Sequence, residues 1–146
     1  MTRFLIALLS VALMAYLFQV EAVPLRSRQI GDIQCNVARL KTVSSLAATK
    51  SALQEIDTSN STTTGTAVTA AQSGLDSASA GIKTIAGALL TGQTAPATAR
   101  DQVKTGLLAA QSALGGITTG DAAVTEAQTK LNDTIAAGSD VVSDCN

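Results

Sequence analysis

The sequence predicts an all-α fold: an up-and-down antiparallel four-helix bundle closed by one disulfide. Apolar residues recur by threes and fours in four separate stretches, the spacing of a seam along one helix face. Short connections rich in glycine and hydroxyl residues divide those stretches, which sets consecutive helices side by side and antiparallel. The only two cysteines, Cys35 and Cys145, stand at the outer limits of the four stretches. An even number of antiparallel helices returns the chain to the end where it started, and a bond between these cysteines requires that return.

The first helix carries Ile33, Val37, Leu40 and Val43, then Leu46, Leu53 and Ile56. It gives way to the turn-forming run DTSNSTTTG from Asp57. The second has the most regular seam, with Val68, Ala71, Leu75, Ala78, Ile82, Ile85 and Leu89 stepping alternately by three and four. After TGQTA, the third continues the rhythm through Val103, Leu107, Ala110, Leu114 and Ile117. Pro96 is expected in its first turn, where the missing amide hydrogen does no harm. The fourth opens at Asp121 as N-cap and carries Val124, Leu131, Ile135 and Val142.

Small residues form a second pattern beside the seams. Ala67, Gly74, Gly81 and Ala88 recur every seven residues in the second helix, and Ala99, Gly106 and Ala113 do so in the third. Such stripes let two backbones approach toward the lower end of the usual 8 to 10 Å range, so helices two and three are expected to be the tightest pair. Each glycine also weakens a helix by roughly 0.8 to 1 kcal/mol relative to alanine. Beyond residue 28 there are 24 Val, Ile and Leu residues, so the core is expected to be thin and able to open.

The N-terminus reads as a secretory signal over residues 1–22: Arg3, an apolar run from Phe4 to Phe18, and small residues at the cleavage position before Val23. The run is shorter than the roughly 20 apolar residues of a membrane span, so no transmembrane anchor is expected. Residues 23–29 form either a polar leader or a short pro-segment clipped after Arg28, and residues 30–146 form the helical domain. In a secreted chain Cys35 and Cys145 read as a disulfide, because two thiols without histidine make a poor zinc site.

Every aromatic residue and methionine lies in the signal segment, and the chain has no histidine. The expected mature protein therefore lacks the usual neutral-pH general base and the stacking platforms of single-stranded nucleic-acid sites. Glu55 with Asp57 and Asp140 with Asp144 read as helix-end charges facing water. With no phosphate loop, nucleophile elbow or metal signature, no catalytic residues, cofactor or metal are expected, and the chain reads as a non-enzyme. Charges of mixed sign interleave along the chain, so no basic patch for nucleic acid or anionic lipid is expected. Asn60-Ser61-Thr62 and Asn132-Asp133-Thr134 are N-glycosylation sequons. Asn60, in the hydroxyl-rich connection, is the expected acceptor; Asn132 falls within a helix beside Leu131.

The signal segment, the Ala/Thr/Ser-rich helices and the stretch IKTIAGALLTGQTAPATARDQV joining the second and third helices resemble small secreted fungal proteins of the hydrophobic-surface-binding protein A type, also described as cell-wall galactomannoprotein-like. The resemblance implies residence outside the cell or in its wall, adsorption to hydrophobic surfaces and recruitment of secreted hydrolases there. The enclosing cysteine pair is not part of that family's pattern. Two functions are thus expected from the helices: adsorption to an apolar surface, or carriage of a small apolar ligand such as a lipid or sterol. The apolar seam assigned to either is Val68, Leu75, Ile82, Ile85, Leu89, Val103, Leu107, Leu114 and Ile117, and the hairpin it occupies, residues 68 to 117, is the expected adsorbing element.

Overall fold

A computed structural model describes residues 33–145. The expected signal segment, residues 1–22, the expected leader 23–29 with Arg28, and residues 30–32 of the helical domain lie outside the described residues. Four helices follow in order: α1 (Ile33–Gln54), α2 (Thr62–Leu90), α3 (Ala97–Gly115) and α4 (Ala122–Asp144). Ser61 caps α2 by accepting from the Thr64 amide at 3.2 Å, and the Asp121 carboxylate caps α4 by accepting from the Ala123 amide at 3.0 Å. Pro96 stands one place before α3, with ψ 135°, not in its first turn; its carbonyl accepts from the Ala99 and Arg100 amides. Gly92 and Gly120 take positive φ in the connections, where residues with a Cβ are disfavoured.

Each helix touches its two neighbours around the bundle, but unequally. α2 with α3 and α1 with α4 make extensive contacts, whereas α1 with α2 and α3 with α4 touch sparsely. The molecule is two tight helix pairs sharing one core. Cys35 and Cys145 are bonded across α1 and the end of α4, with Cα atoms 5.0 Å apart.

The α2–α3 pair is as close as its small residues allow. A Cβ placed on Gly74 would lie 2.6 Å from the Gly106 carbonyl oxygen, and one on Gly81 would lie 2.8 Å from that of Ala99. These glycines therefore act less as slack in the helices than as the condition for their contact. The α1–α4 pair uses alanine and threonine instead: Ala38, Thr42 and Thr49 of α1 and Ala127, Thr134 and Ala137 of α4 are all buried. Thr49 Oγ1 and Thr134 Oγ1 lie 3.1 Å apart, and each also lies 2.9 Å from a carbonyl oxygen of its own helix. One hydroxyl can donate across the seam while the other donates back along its helix, so neither is left unpartnered.

This packing overturns the seam expected for the first half of α1. Ile33, Val37, Leu40 and Val43 are 80, 56, 71 and 50% exposed. Cys35, Ala38 and Thr42 are buried in their place, because the disulfide and the small-residue face of α4 turn that side of the helix inward. The face holding Cys35 comes round again at Leu46 and Leu53, where the apolar residues and the buried side coincide. In α4, Val142 is likewise exposed, at 72%.

The shared core comprises Leu46, Leu53 and Ile56 with Leu75, Leu107, Leu114, Ile117, Val124 and Leu131, interleaved with alanines. It occupies the half of the bundle nearest the α1–α2 and α3–α4 connections, here the loop end. The opposite end holds the disulfide and the α2–α3 connection.

Candidate functional site: the apolar disulfide end

Toward the disulfide end, the apolar stripes run out of the core into water. In α4, Val124, Leu131 and Val142 occupy one helix face; the first two are buried, Leu131 at 1% exposure, and the last is among the most exposed apolar residues. In α2, Leu75 is buried while Ile82 and Leu89, seven and fourteen residues on, are only partly covered. Ile82, Val103 and Ile135 mark the lower edge of the shared core. Beyond them, the buried residues Cys35, Ala38, Thr42, Ala99 and Ala137 belong to the seams within pairs. The two pairs thus stop closing over a common interior before the bundle ends.

The exposed large apolar residues gather there. Ile33, Val37, Leu40 and Val43 lie in the first half of α1, Leu90 at the last residue of α2 and Val142 in the last turns of α4; among the described residues Leu108 alone lies elsewhere, midway along α3. Of the residues assigned from sequence to the functional seam, Leu75, Leu107, Leu114 and Ile117 are buried, while Val68, Ile82, Ile85, Leu89 and Val103 are half-buried. They hold the bundle together and do not form an outward face.

Antiparallel folding also sorts the charges. Arg39, Lys41, Lys83, Arg100 and Lys104 fall in the disulfide half, against Asp101, Asp140 and Asp144. In the loop half, Lys50 and Lys130 stand with four acids, Glu55, Asp57, Asp121 and Glu126, while Asp76 and Asp133 are the central residues of α2 and α4. Among the described residues, the interleaving along the chain becomes an excess of two basic residues in one half and of two acidic residues in the other, a separation the chain order conceals.

The acids Glu55, Asp57, Asp140 and Asp144 are all exposed. Asp57 accepts from the Ser59 hydroxyl and amide, which holds its carboxyl below the usual value. The Lys50 ammonium, 2.7 Å from Asp76, holds that carboxyl below its usual value as well. Lys41 and Asp140 pair at 3.4 Å across α1 and α4. Among the described residues, no group of three His, Cys, Asp or Glu side chains could hold a metal ion, and no helix is long and apolar enough to cross a membrane.

Asn60 is exposed in the α1–α2 connection, its amide 3.4 Å from Asp57 Oδ2, at the end of the molecule remote from the apolar residues. Asn132 is exposed on α4 and accepts from Gln111 Nε2 at 3.0 Å. Two open grooves flank the core. One, of about 440 Å³, runs past Leu53, Val68, Gln72 and Asp76; the other, of about 210 Å³, runs past Gln111, Leu114, Gln128 and Leu131. The chain matches no protein-family model, no curated protein and no solved structure.

Proposed function

We propose that this chain is a non-enzymatic secreted protein that adsorbs to hydrophobic surfaces, in or near a cell wall, through the disulfide end of its bundle. The observation that carries the reading is the concentration of exposed Ile33, Val37, Leu40, Val43, Leu90 and Val142 at that end, while elsewhere among the described residues Leu108 is the one large apolar residue so exposed. Exposed apolar patches of this kind lower their free energy by leaving water for an apolar phase. A glycan on Asn60 would stand at the opposite end and leave the adsorbing face clear. The resemblance to hydrophobic-surface-binding proteins points the same way and adds recruitment of secreted hydrolases to the coated surface.

Carriage of a small apolar ligand is the second reading, supported by the stripe from Leu131 to Val142 that opens to water between the helix pairs. Depletion of the purified protein by neutral hydrophobic beads, set beside titration with a fatty acid or a sterol, separates the two. Adsorption without stoichiometric lipid binding is expected. Protein that stays in solution with beads but binds one lipid per chain replaces the adsorber with the carrier.

A further inference from the structure

We infer that the disulfide end docks on anionic lipid, with the bundle standing on that end and its acidic loop end turned away. The inference rests on the adsorber reading and adds to it the chemistry and orientation of the surface. Two independent features converge on the same end. The first is the exposed apolar set, above all Ile33, Val37 and Leu40, which recur at helical spacing on the side of α1 opposite its seam with α4. The second is charge: among the described residues Arg39, Lys41, Lys83, Arg100 and Lys104 outnumber Asp101, Asp140 and Asp144 in the disulfide half, whereas acids outnumber bases in the loop half.

An uncharged apolar surface would reward only the first feature. A layer of anionic lipid rewards both, because apolar side chains enter the boundary of the acyl region while the basic side chains remain among the headgroups. Turning the loop end toward the same layer would bring Glu55, Asp57, Asp121 and Glu126 against negative headgroups without apolar contact to offset the repulsion. The helices span several Debye lengths, about 8 Å each at physiological salt, so the surface senses the near end and not the negative total. An excess of two basic residues near an anionic surface corresponds to a preference on the order of 30-fold over neutral lipid.

The test uses the purified protein with vesicles of phosphatidylcholine alone and with about a third phosphatidylglycerol, beside neutral hydrophobic beads. Tighter binding to the anionic vesicles, lost as salt is raised, is expected. K83E/R100E should lose most of the preference yet keep bead adsorption, and V37S/L40S should weaken both. E55K/E126K, at the far end, should leave the preference within about twofold of wild type, the remote charges being screened. These positions are exposed, and circular dichroism of each variant checks that the fold is retained.

Equal binding to neutral and anionic vesicles, or equal effects of charge changes at both ends, overturns the inference while leaving the adsorber reading in place if the beads are coated. Failure to coat the beads as well removes both. Sedimentation as a dimer that dissociates in V37S/L40S, with no vesicle binding, assigns the apolar end to a second copy of the chain and also overturns the inference.

Discussion

Gly74 shows why a residue's propensity and its place in the packing can argue in opposite directions. In an isolated helix, Gly74→Ala would add roughly 0.8 to 1 kcal/mol of helix stability. Here the new methyl would stand 2.6 Å from the Gly106 carbonyl oxygen and 2.9 Å from the Ala110 amide nitrogen, both backbone atoms that move only if the helix moves. Overpacking of this kind costs about 1 to 3 kcal/mol and outweighs the propensity gain. Gly74→Ala is therefore expected to lower the urea midpoint. Gly87→Ala in the same helix, with nothing within 4 Å of the added Cβ, should raise it by the propensity difference. Stabilisation by both substitutions would refute the close approach of α2 and α3. Gly74 is a fastening point, so substitution there cannot serve to stiffen the bundle against opening.

At the scale of elements, the sparse α1–α2 contact is bridged by Lys50 and Asp76. The bond to Lys50 and its positive charge hold the Asp76 carboxyl below its ordinary value of 3.8. Between the folded and unfolded pKa values the unfolded chain binds more protons, so acid favours unfolding in that interval. The contribution is present above about pH 4 and is lost as pH falls through the lowered folded value. Asp76→Asn is expected to be less stable than wild type at neutral pH and to show a shallower acid limb, the two curves of urea midpoint against pH converging at the acid end. A constant offset over the whole range would exclude this linkage. The pair is exposed, so salt should diminish the difference at neutral pH.

The whole molecule is held differently at its two ends. The loop end has the shared core; the disulfide end has two separate seams and one covalent tie spanning 110 residues. On chain-entropy grounds that tie contributes at most roughly 4 to 5 kcal/mol, a large share of the usual stability of a domain this size. Cys35→Ala/Cys145→Ala is expected to remain helical, to lose much of its stability, and to open from the disulfide end. In hydrogen exchange, amides in the first half of α1 and the last turns of α4 should lose protection well before those around Leu53 and Leu131. Uniform loss along both helices would show that the core, too, depends on the bond. The same asymmetry lets the apolar end meet a surface while Leu75, Leu107 and Leu114 stay covered, so adsorption does not require the bundle to unfold.

What the sequence by itself determined was everything set by local periodicity and chain connectivity. Spacing and caps marked the four helices, short turns made them antiparallel, and the even count carried Cys35 to Cys145. The seven-residue stripes, through Gly74 and Gly81 in α2 and through Gly106 in α3, announced the close pair. Tertiary structure decided which side of α1 is inside. Ile33, Val37 and Leu40 dominate any hydrophobic pattern, but Cys35, Ala38 and Thr42 fit the narrow seam with α4, and a helix cannot bury opposite sides against one neighbour. The candidate site was illegible for the same reason: its apolar residues read as core, and its basic residues are dispersed among acids along the chain. Only antiparallel packing brings the first half of α1, the last half of α2, the first half of α3 and the last half of α4 to one end. Residues remote in sequence become neighbours there, and the apolar surface and the charge separation are properties of that assembly.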